Sequence, residues 1–261
     1  MINAKKSLGQ NFLTDRNILE KIVSVAEIKN KNILEVGPGT GNLTSFIIKN
    51  EPKKVIAIEK DHELATNLSL NFGEQLTVIN DDILDVKEHL LFDEKVTVFG
   101  NLPYNISTEI LSKWIMNLKD NFWFDHLVLM FQKEVADRII ANVNSSAYGR
   151  LSILANWKLH IKKICDIKPE CFSPRPKIDS TLLFFTPRKN FYKIKDSKNL
   201  EKVTRIFFSQ RRKMLKKPFN QLFNGSEKIL DKLKIDLNLR PQNLDFDTYY
   251  QLTYEYEKLR S

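Results

Sequence analysis

Four short apolar runs constrain this chain more than anything else in it. Each stops at a residue able to bind a ligand, and the stops recur about every twenty residues, the length of one strand-helix unit. Residues 32–36 run into Gly37, 54–58 into Glu59, 76–79 into Asn80-Asp81-Asp82, and 96–99 into Gly100-Asn101. Helical patterns fill the gaps at 42–48 and 63–71. Strands that alternate with helices build a parallel sheet, and ligands of such sheets sit at the carboxyl ends of the strands. The expected fold is therefore α/β and Rossmann-like. A fifth strand at 127–131 and a hairpin of 160–167 with 178–185 are expected to complete the sheet. The helix at 108–118 places Ile110, Leu111, Trp114 and Ile115 on one face, where Trp114 belongs to the core. The segment 151–157 reads as a helix packed on the sheet.

The stops differ in chemistry. Gly37-Pro38-Gly39-Thr40-Gly41 lets the backbone approach a ligand closely. A dinucleotide site wants G-x-G-x-x-G, and Asn42 stands where the third glycine belongs. A G-x-G-x-G loop preceded by an acid, here Glu35, fits S-adenosylmethionine better, because a cationic sulfonium has no need of a helix N-terminus. Glu59 ends the next strand, placed to accept from ribose hydroxyls. Asp81 or Asp82 can accept from an adenine amine, and the pair reads equally as a turn.

Asn101-Leu102-Pro103-Tyr104 has the parts to hold a planar base with an exocyclic amine. Asn101 offers a side-chain carbonyl. Pro103 fixes its own φ and holds Leu102 extended, so the Leu102 carbonyl is a second, directed acceptor. Tyr104 offers a ring face. The tetrapeptide resembles the (N/D/S)-(I/L/P)-P-(Y/F/W) motif of amino-methyltransferases.

Net charge is +9, and it is unevenly spread. Residues 190–261 hold sixteen Lys and Arg against nine Asp and Glu, and the stretch 202–226 has seven cations and no carboxylate. Clustered positive charge points to a nucleic-acid partner. A helix expected over 200–217 puts Val203, Phe207, Met214 and Leu215 on an apolar face and Arg205, Arg211, Arg212, Lys213, Lys216 and Lys217 elsewhere, with Pro218 ending it. The expected division is a catalytic domain at 1–189 and a small all-helical RNA-binding domain at 190–261. Two cysteines and four scattered histidines suggest neither a disulfide framework nor a metal site. No apolar run reaches the length of a membrane span, and the polar N-terminus lacks a signal-peptide core. A cytoplasmic, metal-free monomer is the expectation.

Five motifs occur in order: Gly9-Gln10-Asn11-Phe12-Leu13, 35–41, 101–104, Phe172-Ser173-Pro174-Arg175-Pro176-Lys177-Ile178-Asp179-Ser180, and Phe208-Ser209-Gln210-Arg211-Arg212-Lys213. Together they resemble the ribosomal RNA adenine dimethyltransferases of the bacterial small-subunit type over essentially the whole chain. The resemblance implies transfer of two methyls to N6 of each of two adjacent adenosines near the 3′ end of 16S rRNA, within a nearly mature 30S subunit. It implies S-adenosylmethionine contacts from Asn11, Leu13, Gly37, Gly39, Glu59, Asp82 and Asn101, and singles out Asp82 of the tandem acids. It implies target-base contacts from Asn101, Leu102, Tyr104 and Phe172, with Pro103 stiffening the motif; read from its own loop, Phe172 fits equally well folded onto the core. Lys5 and Lys6 of the short N-terminal arm can touch phosphate. The competing readings are a large-subunit methyltransferase of the antibiotic-resistance type, a non-catalytic assembly factor, and an NAD-dependent oxidoreductase, the last disfavoured by Asn42.

Overall fold

The computed structural model describes Lys5, residues 9–118 and residues 121–260. Lys6 lies outside the described residues. The chain forms two compact units.

The first unit is built on a seven-stranded sheet. Its strands are β2 (Asn32–Val36), β3 (Lys54–Ile58), β4 (Thr77–Ile79), β5 (Val96–Asn101), β6 (Phe124–Gln132), β7 (Leu159–Ile167) and β9 (Ser180–Pro187). The order is β4-β3-β2-β5-β6-β9-β7. The first five pair in parallel, and β9 runs antiparallel to β6. Every residue of β2 is buried, as a central parallel strand covered on both faces requires. β2 has β3 on one side and β5 on the other, so the strand order reverses there and a crevice opens at the carboxyl ends. Register fixes what borders it. Val36 lies opposite both Ile58 and Gly100, so Gly37, Glu59 and Asn101 reach the same edge together.

Two short strands complete this unit, and the sequence does not announce them. β1 (Phe12–Leu13) pairs antiparallel with β8 (Phe172–Ser173), a piece of the loop between β7 and β9. The helix α1 (Arg16–Val23) follows β1, with the Asp15 carboxylate accepting from the Ile18 N–H as its N-cap. α2 (Asn42–Lys49) follows the glycine loop, and α3 (His62–Phe72) follows β3 with Asp61 as its N-cap. α4 (Ser107–Asn117) and α5 (Lys133–Ile139) follow β5 and β6.

The second unit gathers 114–117, 137–160 and 188–261. The single cut at residue 190 therefore misses two earlier segments. One of them carries α6 (Arg150–Lys158), which packs on α7 (Ser197–Phe208) and α10 (Phe246–Lys258) and groups with them in the second unit. Tyrosine hydroxyls tie this unit together: Tyr250 donates to the Ile153 carbonyl and Tyr148 to the Leu244 carbonyl, both at 2.9 Å. The helix expected over 200–217 is two helices. α7 stops at Phe208, and α8 spans Lys216–Phe223. Between them the Leu215 N–H donates to the Leu239 carbonyl, an anchor that an unbroken helix would exclude. Pro218 sits in the first turn of α8, where its missing N–H is no loss, and Met214 is exposed instead of facing a core.

Gly41 shows how tightly the loop before α2 is held. It is left-handed at φ +82°, and a Cβ there would lie 2.7 Å from the Phe72 ring and 3.0 Å from Leu68. Gly41→Ala combines a left-handed penalty with overpacking, so stability should fall by about 2–4 kcal/mol. Urea unfolding measures it, and an unchanged midpoint would contradict the packing described.

Candidate active site

A cavity opens at the carboxyl edge of the sheet, wholly within the first unit. It is lined by the N-terminal segment 9–13, the glycine loop, Glu59, Asp81, Asp82 and the motif 101–104. Of the residues expected to bind cofactor or base, Asn11, Leu13, Gly37, Gly39, Glu59, Asp82, Asn101, Leu102, Pro103 and Tyr104 all border it.

The glycine loop is pressed against the N-terminal segment. Gly37 and Gly39 are left-handed, at φ +68° and +59°, and a Cβ on Gly39 would lie 2.8 Å from the Phe12 ring. Glu59 closes the other side of the loop. One of its oxygens accepts from the Gly39 N–H at 3.1 Å and the other from the Asp61 N–H at 2.9 Å. Burial pushes the Glu59 carboxyl above the usual carboxylate range, against the pull of those N–H groups. A carboxylate has about four acceptor sites, so capacity for a diol remains. Asp82 accepts from the Leu84 N–H and pairs with Lys60, whose ammonium holds the carboxyl below its ordinary range.

Asn101 is oriented by its neighbour. Its amide nitrogen donates to the Asn11 carbonyl at 2.9 Å, and its side-chain oxygen has no partner among the described residues. The Tyr104 ring is pinned through a 2.6 Å hydrogen bond between its hydroxyl and Ser180.

Several supporting residues escaped the sequence reading. Asn42, read only as a missing glycine, donates its amide to the Leu13 carbonyl at 2.8 Å and ties the N-terminal segment to α2. Asp61 accepts from Gln10 at 3.0 Å and pairs with Lys5 at 2.8 Å while capping α3. Lys5, expected to meet phosphate, is thus engaged within the protein. Apart from the cap at Asp61, no local signal marks these roles, because the partners are distant in sequence.

Of the two readings open for Phe172, the structure has the one that folds it onto the core. The pairing of β8 with β1 sets it opposite Leu13, and it is buried in the hydrophobic cluster with Leu13, Leu19 and Ile167. It does not line the cavity. Of the cations expected to meet RNA, Arg205, Arg212, Lys213, Lys216 and Lys217 are exposed in the second unit, while Arg211 is half-buried and donates to the Ser145 carbonyl. Among the described residues no cluster of three or more His, Cys, Asp or Glu is placed to hold a metal ion, and no helix is long and apolar enough to cross a membrane.

The chain matches the family model described as ribosomal RNA adenine dimethylase over residues 1–258. The ribosomal RNA small subunit methyltransferase A of Pelagibacter ubique (strain HTCC1062) is 66% identical over 259 residues, covering 99% of each chain. The protein of the same name from a Wolbachia of Drosophila simulans is 41% identical, covering 99% of this chain and 96% of that one. Among solved structures, a dimethyladenosine transferase from Plasmodium falciparum matches with a TM-score of 0.80 at 29% identity, over 95% of this chain and 98% of that one. The 23S rRNA methyltransferase ErmE shares the fold, with a TM-score of 0.70 at 21% identity over 95% and 100%.

The cavity also holds a carboxyl that titrates far from its usual range. Glu35 is 1% exposed, and burial pushes it up to about 8 despite the hydrogen bond it accepts from Thr44, with the Glu59 charge adding to the rise. A carboxyl raised in the folded state binds more protons folded than unfolded through that window, so stability falls as pH rises toward 8. Glu59 pushes the same way. Glu35→Gln keeps an acceptor for Thr44 and removes the titration. Melting temperature between pH 5 and 9 should decline less steeply for the variant, and parallel curves would contradict the assignment.

Proposed function

The chain belongs to the ribosomal RNA adenine dimethylase family, as an S-adenosylmethionine-dependent enzyme of the small-subunit type, and from that premise we propose the following site and substrate. It places two methyl groups on N6 of each of two adjacent adenosines near the 3′ end of 16S rRNA in the 30S subunit. The observation that carries this reading is Asn101, whose amide nitrogen is held by Asn11 and whose oxygen is left as an open acceptor.

The lining fits the cofactor. It is rich in acceptors, and the one cationic side chain among its described lining residues, Lys60, is paired with Asp82. A site of that character suits hydroxyls, an adenine amine and a sulfonium better than a pyrophosphate. Glu59 would hold the ribose hydroxyls, and Asp82 the cofactor's adenine amine. Asn11, Leu13, Gly37 and Gly39 would enclose the remainder. When bound, S-adenosylmethionine supplies an electrophilic methyl on sulfur.

What the protein adds is orientation. The amine of adenine is a weak nucleophile because its lone pair is conjugated into the ring. Asn101 Oδ1 and the Leu102 carbonyl accept its two N–H bonds and favour a pyramidal nitrogen, which frees the lone pair. Tyr104, held by Ser180, stacks on the base after it leaves its helix. No strong base is required, and the rate comes from positioning and preorganised dipoles. After one methylation a single N–H remains to be held. The sheet unit carries this chemistry, and the basic helical unit engages rRNA through Arg205, Arg212, Lys213, Lys216 and Lys217. The compact grouping of 137–160 with 188–261 supports counting it on the RNA side. A monomer suffices, since one chain lines the cavity, and ribosomal substrates imply work in the cytoplasm.

Asn101→Ala removes the acceptor and should lower methyl transfer to 30S particles by about 100-fold or more. S-adenosylmethionine binding by calorimetry should persist within an order of magnitude. Near-normal transfer by the variant would contradict the role given to Asn101.

A further inference from the structure

The second unit holds a concave cleft that the methyl-transfer site does not include. Aromatic side chains of Trp157, Phe191, Tyr192 and Tyr250 line it, with Arg188 and Asp247 beside them. The segment 188–192 forms one wall because it is laced to the end of α6. The Arg188 backbone N–H donates to the Lys158 carbonyl at 2.8 Å, and its Nε–H to the Leu159 carbonyl at 3.0 Å. The Trp157 indole N–H donates to the Tyr192 carbonyl at 2.8 Å.

These bonds fix two groups and leave them open. Arg188 is held by Nε, and its terminal nitrogens have no partner among the described residues. Tyr192 is 37% exposed. Its ring is tilted against Tyr250, centroids 5.6 Å apart, and its hydroxyl accepts from Gln251 at 3.1 Å. An aromatic ring steadied on one side and partly open to solvent can serve as a stacking platform.

The mixture of groups narrows the occupant. A purely apolar guest would cover the Arg188 guanidinium without compensation. A free anion would meet the Asp247 carboxylate. A nucleotide answers both: its base has a face for the tyrosine ring and N–H groups for a carboxylate, and its phosphate accepts two bonds from a guanidinium. The unit also carries most of the chain's excess positive charge, at 190–261. We propose that this cleft holds one unstacked nucleobase of a single-stranded stretch of ribosomal RNA, stacked on Tyr192 with an adjoining phosphate on Arg188. The proposal rests on the RNA-binding reading of this unit and adds to it a stacking subsite whose lining includes neither Arg212 nor Lys213.

The test compares Tyr192→Ala, Tyr192→Phe and the double charge reversal Arg212→Glu with Lys213→Glu. Each full-length variant is measured for affinity to unmethylated 30S particles, with S-adenosylmethionine affinity and circular dichroism as checks on folding. Loss of a base stacked on an aromatic ring should weaken Tyr192→Ala binding by about five- to hundredfold. Tyr192→Phe should bind like the parent, and ultraviolet irradiation of the complex should cross-link a nucleotide to Tyr192. Parent-like binding by Tyr192→Ala, with the charge reversal weakened, would overturn the cleft alone. Parent-like binding by both would overturn the RNA-binding reading with it. A cross-link from Tyr192 to a ribosomal protein would assign the cleft to a protein partner and overturn the proposal.

Discussion

The in-register pairing of β2 with both β3 and β5 is the constraint on which the site depends. Val36 stands opposite Ile58 on one side and Gly100 on the other. Three ligand-type residues that lie far apart in sequence are therefore delivered to one edge without any contact between their side chains. A shift of one residue in either ladder would exchange the two faces of the strand, and because β2 is packed on both of them, both cores would have to repack. The burial that stabilises the sheet thus also fixes the geometry of the cavity.

On that edge, a second layer of hydrogen bonds converts position into orientation. The Asn11 carbonyl holds the Asn101 amide, Asn42 holds the Leu13 carbonyl, and Asp61 holds Gln10. All three tether the N-terminal segment that lines the cavity. The segment consequently acts as a wall of the site, and the freedom of Asn101 to rotate is removed before any substrate arrives. Preorganisation of this kind is what the proposed reaction, which uses no strong base, would draw on. The price appears nearby as buried acids, Glu35 and Glu59, both raised by desolvation.

Much of this was legible in the chain. The strand ends at Gly37, Glu59, Asp82 and Asn101 stood out because a parallel sheet sends every strand terminus to one edge, so spacing alone groups them. Asn42, Asp61 and Ser180 were not legible as site residues. Their roles are long-range hydrogen bonds, and the same residue types serve equally well in turns and caps. Phe172 stays ambiguous in the sequence because a proline-stiffened loop can display an aromatic ring or fold it inward, and pairing with Leu13 draws it into the core. Apolar spacing persists through Leu215 and so predicts one continuous helix over 200–217. The bond from Leu215 to Leu239, invisible in local pattern, splits it. The helix at 150–158 likewise carries apolar residues suited to any core, and only the structure assigns it to the helical unit.

The central claim is that this chain dimethylates adenine in the small ribosomal subunit. The most direct measurement supplies labelled S-adenosylmethionine with purified 30S and 50S particles that lack their native methylations, followed by nucleoside analysis. The account predicts N6,N6-dimethyladenosine from 30S particles alone. Label in 50S particles or their free RNA, or binding to 30S particles with no label transferred, would contradict it.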